Sequence, residues 1–160
     1  PDILFLDEPT TGVDAVSRRE FWDLLSELKA SGLTIVVSTP YMDEAARCDR
    51  LALVQGGRIL AVDRPSQLGA RFPRALFAVH SSARHRLLEA VRAYPHTASV
   101  YPFGDVLHFS DRRTDLSADA LGNALRQHLA DHGITDAGLS VIPPTIEDAF
   151  IELMGAPEAA

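Results

Sequence analysis

The sequence predicts an α/β unit over residues 1–73, followed by a small α+β unit of split βαβ, ferredoxin-like order over residues 74–154 and a short tail over 155–160. Ile3 to Leu6 and Leu33 to Ser38 are continuous apolar runs of strand length separated by one segment of helical period, the pattern of parallel strands joined by a crossover helix. From about Arg74 the order changes to strand, helix, strand, strand, helix, strand. The 160 residues are 46% apolar and 23% charged, a balance that supports one or two globular units and excludes disorder and fibrous repeats.

The first run ends in Asp7-Glu8-Pro9, so its strand is expected to be buried on both faces and to finish at a functional edge. After the turn Thr10-Thr11-Gly12-Val13-Asp14, Ser17 and Glu20 fit an S-x-x-E capping box. Phe21, Leu24, Leu25 and Leu28 then repeat at helical spacing until Ser31-Gly32. Leu33 to Ser38 is a second buried strand. Thr39 is placed to cap a helix with Pro40 at its first position and Asp43 and Glu44 in its first turn. Leu51 to Gln55, Gly56-Gly57 and Arg58 to Val62 read as a tight hairpin, and Asp63 to Ser66 turns into a short helix ending near Phe72-Pro73. In the second unit the strands are Leu76 to His80, Ser99 to Phe103, Val106 to Ser110 and Leu139 to Ile142, with helices over Ala83 to Tyr94 and Asp119 to His132. Thr145, with Asp148 in the capping-box position, opens a final helix from Ile146 to Met154.

Composition narrows the function. No apolar run approaches the roughly 18 to 20 residues that would span a bilayer. Lys+Arg 15 against Asp+Glu 22 gives a net charge of −7 with neither sign gathered into a block, so nucleic acid is not expected as a partner. The single cysteine, Cys48, cannot close an internal disulfide, which suits a reducing cytosol, and it reads as a small buried apolar residue. Pro1 is not an initiator methionine and leads straight into a strand, so the chain reads as a piece of a longer one. His128 and His132 are four apart on a helix but lack an acid or cysteine at ligand spacing, so they read as a solvated helix face. Arg18-Arg19 and Arg112-Arg113 read as exposed pairs, and Phe21 and Trp22 as packing residues.

The acid pair carries the chemistry. Two carboxylates at the carboxyl end of a parallel strand lie in the crevice where α/β sheets bind ligands. In a nucleotide site the first acid holds Mg2+ through its water shell and the second orients or deprotonates the attacking water. Taken alone the pair is equally a solvated strand edge.

The residues around and after the pair extend the pattern. Leu4-Phe5-Leu6-Asp7-Glu8-Pro9-Thr10-Thr11-Gly12-Val13-Asp14 resembles the Walker B and D-loop segment of the ABC transporter ATPase family. Ser38-Thr39-Pro40-Tyr41-Met42-Asp43-Glu44-Ala45 resembles the switch segment after it, and Arg58-Ile59-Leu60-Ala61 through Pro65 is similar to the end of the family's nucleotide-binding domain. Residues 74–154, closing on Pro144-Thr145-Ile146-Glu147-Asp148-Ala149-Phe150, resemble the accessory C-terminal domain of ATPases that drive ABC-2 type exporters. The resemblance thus implies the C-terminal part of a P-loop ABC ATPase domain joined to an accessory domain.

The resemblance makes Glu8 the catalytic carboxylate and Asp7 the Walker B acid that holds Mg2+ through water. Thr11, Gly12, Val13 and Asp14 become the D-loop, at the interface with a second nucleotide-binding domain in a homodimer or a tandem chain. ATP and Mg2+ are the implied cofactors and an integral membrane permease the implied partner. The implied location is the cytoplasmic face of the cell membrane. Asp14 equally suits a helix N-cap, and both roles are compatible. Position 40 departs from the family, which usually has a histidine there reaching the γ-phosphate. Pro40 has neither a polar side chain nor an N–H to donate. Either the site hydrolyses slowly or mainly binds, or Pro40 merely starts a helix and other groups suffice.

Neither a G-x-x-x-x-G-K-[ST] phosphate loop nor a Leu-Ser-Gly-Gly type signature occurs in these residues, so the chain alone is expected to be inactive. Two rivals remain: a soluble ABC-type ATPase acting on nucleic acid or ribosomes, and a non-catalytic regulatory or interaction fragment.

Overall fold

The structure, a computed structural model, describes residues 2–155. The chain divides into two compact units, Pro1–Pro65 and Ser66–Ala160. No helix among the described residues is long and apolar enough to cross a membrane.

In the first unit β1 (Ile3–Asp7) and β2 (Thr34–Ser38) pair in parallel, in register from Ile3 opposite Thr34 to Asp7 opposite Ser38. The apolar runs predict burial on both faces, but burial alternates along both strands, with Ile3 50%, Phe5 73% and Val36 47% exposed. The pair forms a two-stranded sheet, and residues two apart share a face, so one face carries Ile3, Phe5 and Val36 outward with Asp7 and Ser38 at its end.

The crossover is α1 (Ala15–Ala30), which buries Trp22 and Leu25. It begins earlier than the Ser17–Glu20 box predicts. The extended residue Asp14 caps it, its Oδ1 accepting from Val16 N at 2.9 Å and Ser17 N at 3.1 Å. A charged acceptor one turn upstream outcompetes the serine, whose hydroxyl donates to Asp14 Oδ2 at 2.7 Å instead.

The helix expected from Pro40 is also displaced. The one-turn α2 (Met42–Ala45) follows Tyr41, and Thr39 Oγ1 accepts from Tyr41 N at 3.1 Å, serving the turn before the helix and not the helix amides. Pro40 therefore lies outside the helix. The hairpin of β3 (Leu51–Gln55) and β4 (Arg58–Asp63) forms as read, because Gly56 and Gly57 at φ 55° and 75° supply the two positive angles of a two-residue loop.

A short helix, α3 (Pro65–Ala70), leads into the second unit, where a Cβ on Gly69 would lie 2.6 Å from the Pro144 carbonyl oxygen, so only glycine permits this approach. Next come β5 (Leu76–His80), α4 (Arg84–Ala93), β6 (Thr97–Phe103), β7 (Val106–Asp111), α5 (Ala118–Asp131), β8 (Gly138–Ile142) and α6 (Ile146–Gly155). The four strands form one sheet in the order β6-β7-β5-β8 with every neighbouring pair antiparallel. Phe77, Val79, Leu107 and Phe109 of the sheet form the core with Leu87 and Val91 of α4 and Leu121, Leu125 and Leu129 of α5.

On the other face of the sheet, Tyr101 and His108 meet the fully buried Asp148 of α6. Asp148 Oδ1 accepts from the Tyr101 hydroxyl and, at 2.6 Å, from His108 Nδ1, while Oδ2 accepts from Thr145 N at 2.7 Å and Thr145 Oγ1 at 2.6 Å. An ionised carboxylate only accepts, so Nδ1 carries the proton. The Phe103 ring stacks on His108 with centroids 4.2 Å apart. The Thr145–Asp148 box thus forms as predicted, and its acid also ties α6 to the sheet. Arg113 is likewise half-buried rather than exposed, paired through Nη2 and Nε with both oxygens of buried Asp111.

Burial pushes the Asp148 carboxyl up, but the hydrogen bonds from Thr145, Tyr101 and His108 outweigh it and hold it below the ordinary 3.8. Its stabilising contribution is therefore complete above the unfolded-state value and is lost as pH falls through the lower folded-state value. In urea titrations the stability advantage of the wild type over Asp148→Asn is expected to shrink as pH falls below about pH 3.8.

Candidate functional site

Asp7 is the last residue of β1 and stands opposite Ser38, the last of β2. The Ser38 hydroxyl donates to Asp7 Oδ1 and also accepts from Glu8 N at 3.0 Å, and the same N–H reaches the Ser38 carbonyl at 3.0 Å. One serine therefore fixes the carboxylate of Asp7 and the backbone of Glu8 against the end of the neighbouring strand.

Glu8 has φ 42°, the only positive value among described non-glycine residues. This left-handed conformation costs an L residue about 1–2 kcal/mol. The turn after it holds it in place: Thr11 N donates to Glu8 O at 3.1 Å and Val13 N to Thr10 O at 3.0 Å. The Glu8 carboxylate stays exposed and accepts from Thr11 Oγ1 at 3.2 Å. Backbone strain of this kind persists only where neighbouring groups hold it, as the turn does here.

The remaining residues read from the sequence fall around this turn. Gly12, at φ 78°, and half-buried Val13 carry the chain into α1. Both Asp14 oxygens are used at the helix start, and the hydrogen bonds from Ser17 and Val16 hold its carboxyl below the usual value. Pro40 is exposed one residue beyond Thr39.

The sequence reading misses Glu44. It takes this residue only as a first-turn acid of the helix after Thr39, whereas Glu44 is 1% exposed and bonded across the unit. Its Oε1 accepts from Thr10 Oγ1 at 2.6 Å and its Oε2 from Thr39 Oγ1 at 2.6 Å, with Arg18 Nε at 3.5 Å. Arg18, expected to be exposed, lies 4.3 Å over the Tyr41 ring. Burial pushes the Glu44 carboxyl up, yet the Thr10 and Thr39 hydrogen bonds and the Arg18 charge bring it below its ordinary value. The spacing of Thr10 and Thr39 from Glu44 carries no pattern, so no sequence signal reveals this contact.

Among the described residues no group of three or more His, Cys, Asp or Glu converges on a metal position. His128 Nε2 reaches the Ala90 carbonyl at 2.9 Å and His132 Nδ1 the His128 carbonyl at 2.8 Å, so each imidazole is engaged with backbone. Cys48 is half-buried rather than fully buried, and burial pushes its thiol up, away from nucleophilic use. The Asp7-Glu8 edge presents two exposed carboxylates side by side at the end of β1.

An acid pair at the carboxyl end of a parallel strand lies where α/β units bind their ligands. The chain is 33% identical over 162 residues to the daunorubicin resistance ATP-binding protein DrrA3 of Streptomyces coeruleorubidus, covering 97% of this chain and 48% of that protein. It is 32% identical over 166 residues to the Nod factor export ATP-binding protein I of Rhizobium etli, covering 97% of this chain and 46% of that protein. The probable multidrug ABC transporter ATP-binding protein YbhF of Escherichia coli is 51% identical over 71 residues, 44% of this chain and 12% of that protein. No family model matches. The chain belongs to the family of ABC transporter ATP-binding proteins, and it spans about half the length of DrrA3 and of the Nod factor export ATP-binding protein I.

The strain at position 8 gives a direct test. Because glycine accepts the left-handed region freely, Glu8→Gly is expected to be more stable than Glu8→Ala by about 1 kcal/mol, the reverse of their order in an ordinary helix or strand. Paired denaturant melts of the two variants measure it.

Proposed function

We propose that the chain is the portion of an ATP-binding subunit from its Walker B strand onward, and that the complete subunit hydrolyses ATP to power an ABC-2 type exporter. The observation that carries this reading is the Asp7-Glu8 pair clamped to Ser38, in a chain that aligns over nearly its whole length with ATP-binding proteins of export and resistance systems. Bound Mg·ATP supplies the electrophilic phosphorus and the leaving group. Glu8, exposed and held by its turn, orients the attacking water and takes its proton. Asp7, oriented by the Ser38 hydroxyl, accepts hydrogen bonds from the cation's water shell.

Thr11 to Asp14 form the D-loop facing a second nucleotide-binding domain, and an integral membrane permease holds the subunit at the cytoplasmic face of the membrane. The permease then selects the cargo. The outward Ile3, Phe5 and Val36 support a larger sheet in the complete subunit, since a nucleotide domain built on parallel strands covers both faces. The βαββαβ order and the sheet order β6-β7-β5-β8 support a ferredoxin-like accessory domain.

Pro40 makes this site a slow one. In the helix-free turn after Thr39 it offers the γ-phosphate neither a side-chain donor nor an N–H. In the complete subunit with its permease, Glu8→Gln is expected to lower ATP turnover by at least about a hundredfold, and Pro40→His to raise it. The 160-residue chain by itself should show no turnover. Steady-state phosphate release measures all three, and turnover by this chain that Glu8→Gln abolishes would overturn the need for a phosphate loop.

A further inference from the structure

We propose that Glu44 is a positioning residue for the hydrolytic site, its buried carboxylate holding the loop behind Glu8 and the loop carrying Pro40 at a fixed spacing. The proposal rests on the ATP-hydrolysing reading above.

The contacts close a ring. Glu8 N is bonded to Ser38, whose next residue, Thr39, donates its hydroxyl to Glu44 Oε2 at 2.6 Å. Glu44 Oε1 accepts at 2.6 Å from Thr10, which is two residues after Glu8. The path from Glu8 through Ser38, Thr39, Glu44 and Thr10 back to Glu8 thus alternates short covalent links with hydrogen bonds. Glu8 is the one member in a left-handed conformation. Without the ring, the turn could relax toward ordinary backbone angles and move the carboxylate.

The chemistry suits a clamp. A carboxylate at 1% exposure is expensive to bury unless every oxygen is satisfied, and here each oxygen takes one threonine hydroxyl, with Arg18 Nε 3.5 Å away as counter-charge. An apolar side chain in the same place would fill the space but would leave the two threonines untethered. The anion instead demands both donors at once, which fixes the distance between their loops. Glu44 touches no reacting group, so its influence reaches the reaction only through where Glu8 and position 40 stand.

The test is steady-state ATP hydrolysis by the complete subunit with its permease, comparing Glu44→Gln, Thr10→Val, Thr39→Val and Thr39→Ser with wild type and with Glu8→Gln. A clamp predicts that each valine variant, which keeps shape and loses the hydroxyl, lowers kcat about tenfold while KM for ATP moves less than about twofold, because misplacing a catalytic group costs rate more than binding. The double valine variant should fall short of the product of the two single effects, since either change opens the ring. Thr39→Ser, which keeps the hydroxyl, should restore kcat.

Valine variants with kcat within about twofold of wild type, in a background where Glu8→Gln removes turnover, would overturn the clamp and leave the ATPase reading standing. Turnover that survives Glu8→Gln would instead overturn Glu8 as the catalytic carboxylate, and the clamp with it, whereas a wild-type complex without turnover would overturn the ATPase reading itself. Where Glu44→Gln does not fold, the Thr39→Val and Thr39→Ser pair decides.

Discussion

Two parallel strands that end side by side leave polar backbone groups at their carboxyl termini with no further ladder to join, and the site in the first unit grows out of how that demand is met. Ser38 meets it with one side chain. Its hydroxyl donates to Asp7 and accepts from Glu8 N, and its carbonyl shares the same N–H. A donor and acceptor on a single rotatable oxygen can do this, whereas an apolar residue there would leave the Asp7 carboxylate free to rotate and the Glu8 amide with one acceptor fewer. The left-handed residue, the turn and the entry to α1 all start from a backbone already fixed at this point.

The two units solve a similar problem with a buried acid. Glu44 joins two loops and a helix in the first, and Asp148 joins a helix and a sheet in the second. In both, desolvation opposes the ionised form and hydrogen-bond donors reverse it. The donor sets differ in kind. Glu44 draws on two hydroxyls from segments far apart in sequence, those of Thr10 and Thr39, with a nearby guanidinium, so it extends the contact between the ends of β1 and β2 into the loops that follow them. Asp148 takes two of its four bonds from Thr145, three residues away, and so is first a local cap and only then a tertiary tie. That difference explains why one is readable in the sequence and the other is not.

Legibility tracks range. The Gly56-Gly57 hairpin and the Thr145–Asp148 box are set by neighbours in sequence, and both form where the residues place them. The acid pair at the end of β1 is equally visible, because a run of apolar residues ending in two carboxylates encodes its own position. The start of α1 is ambiguous in the sequence because Asp14 and Ser17 both satisfy the local rule, and only their relative strength as acceptors decides. Exposure of Ile3 and Phe5 is hidden because the burial of a strand's second face depends on what covers it, which a run of apolar letters does not state. Glu44 is hidden for the same reason in reverse, since its burial depends on threonines contributed from a distance.

Asp14 serves two masters. The loop from Thr11 to Asp14 is short, and its last residue spends both carboxylate oxygens on the amides of Val16 and Ser17 and the hydroxyl of Ser17. Any excursion that carries this side chain away from the chain's own backbone must release those groups, and the first turn of α1 frays as it goes. The loop and the start of the helix are therefore coupled through one side chain, and amide exchange at Val16 and Ser17 becomes a local gauge of whatever pulls on the loop.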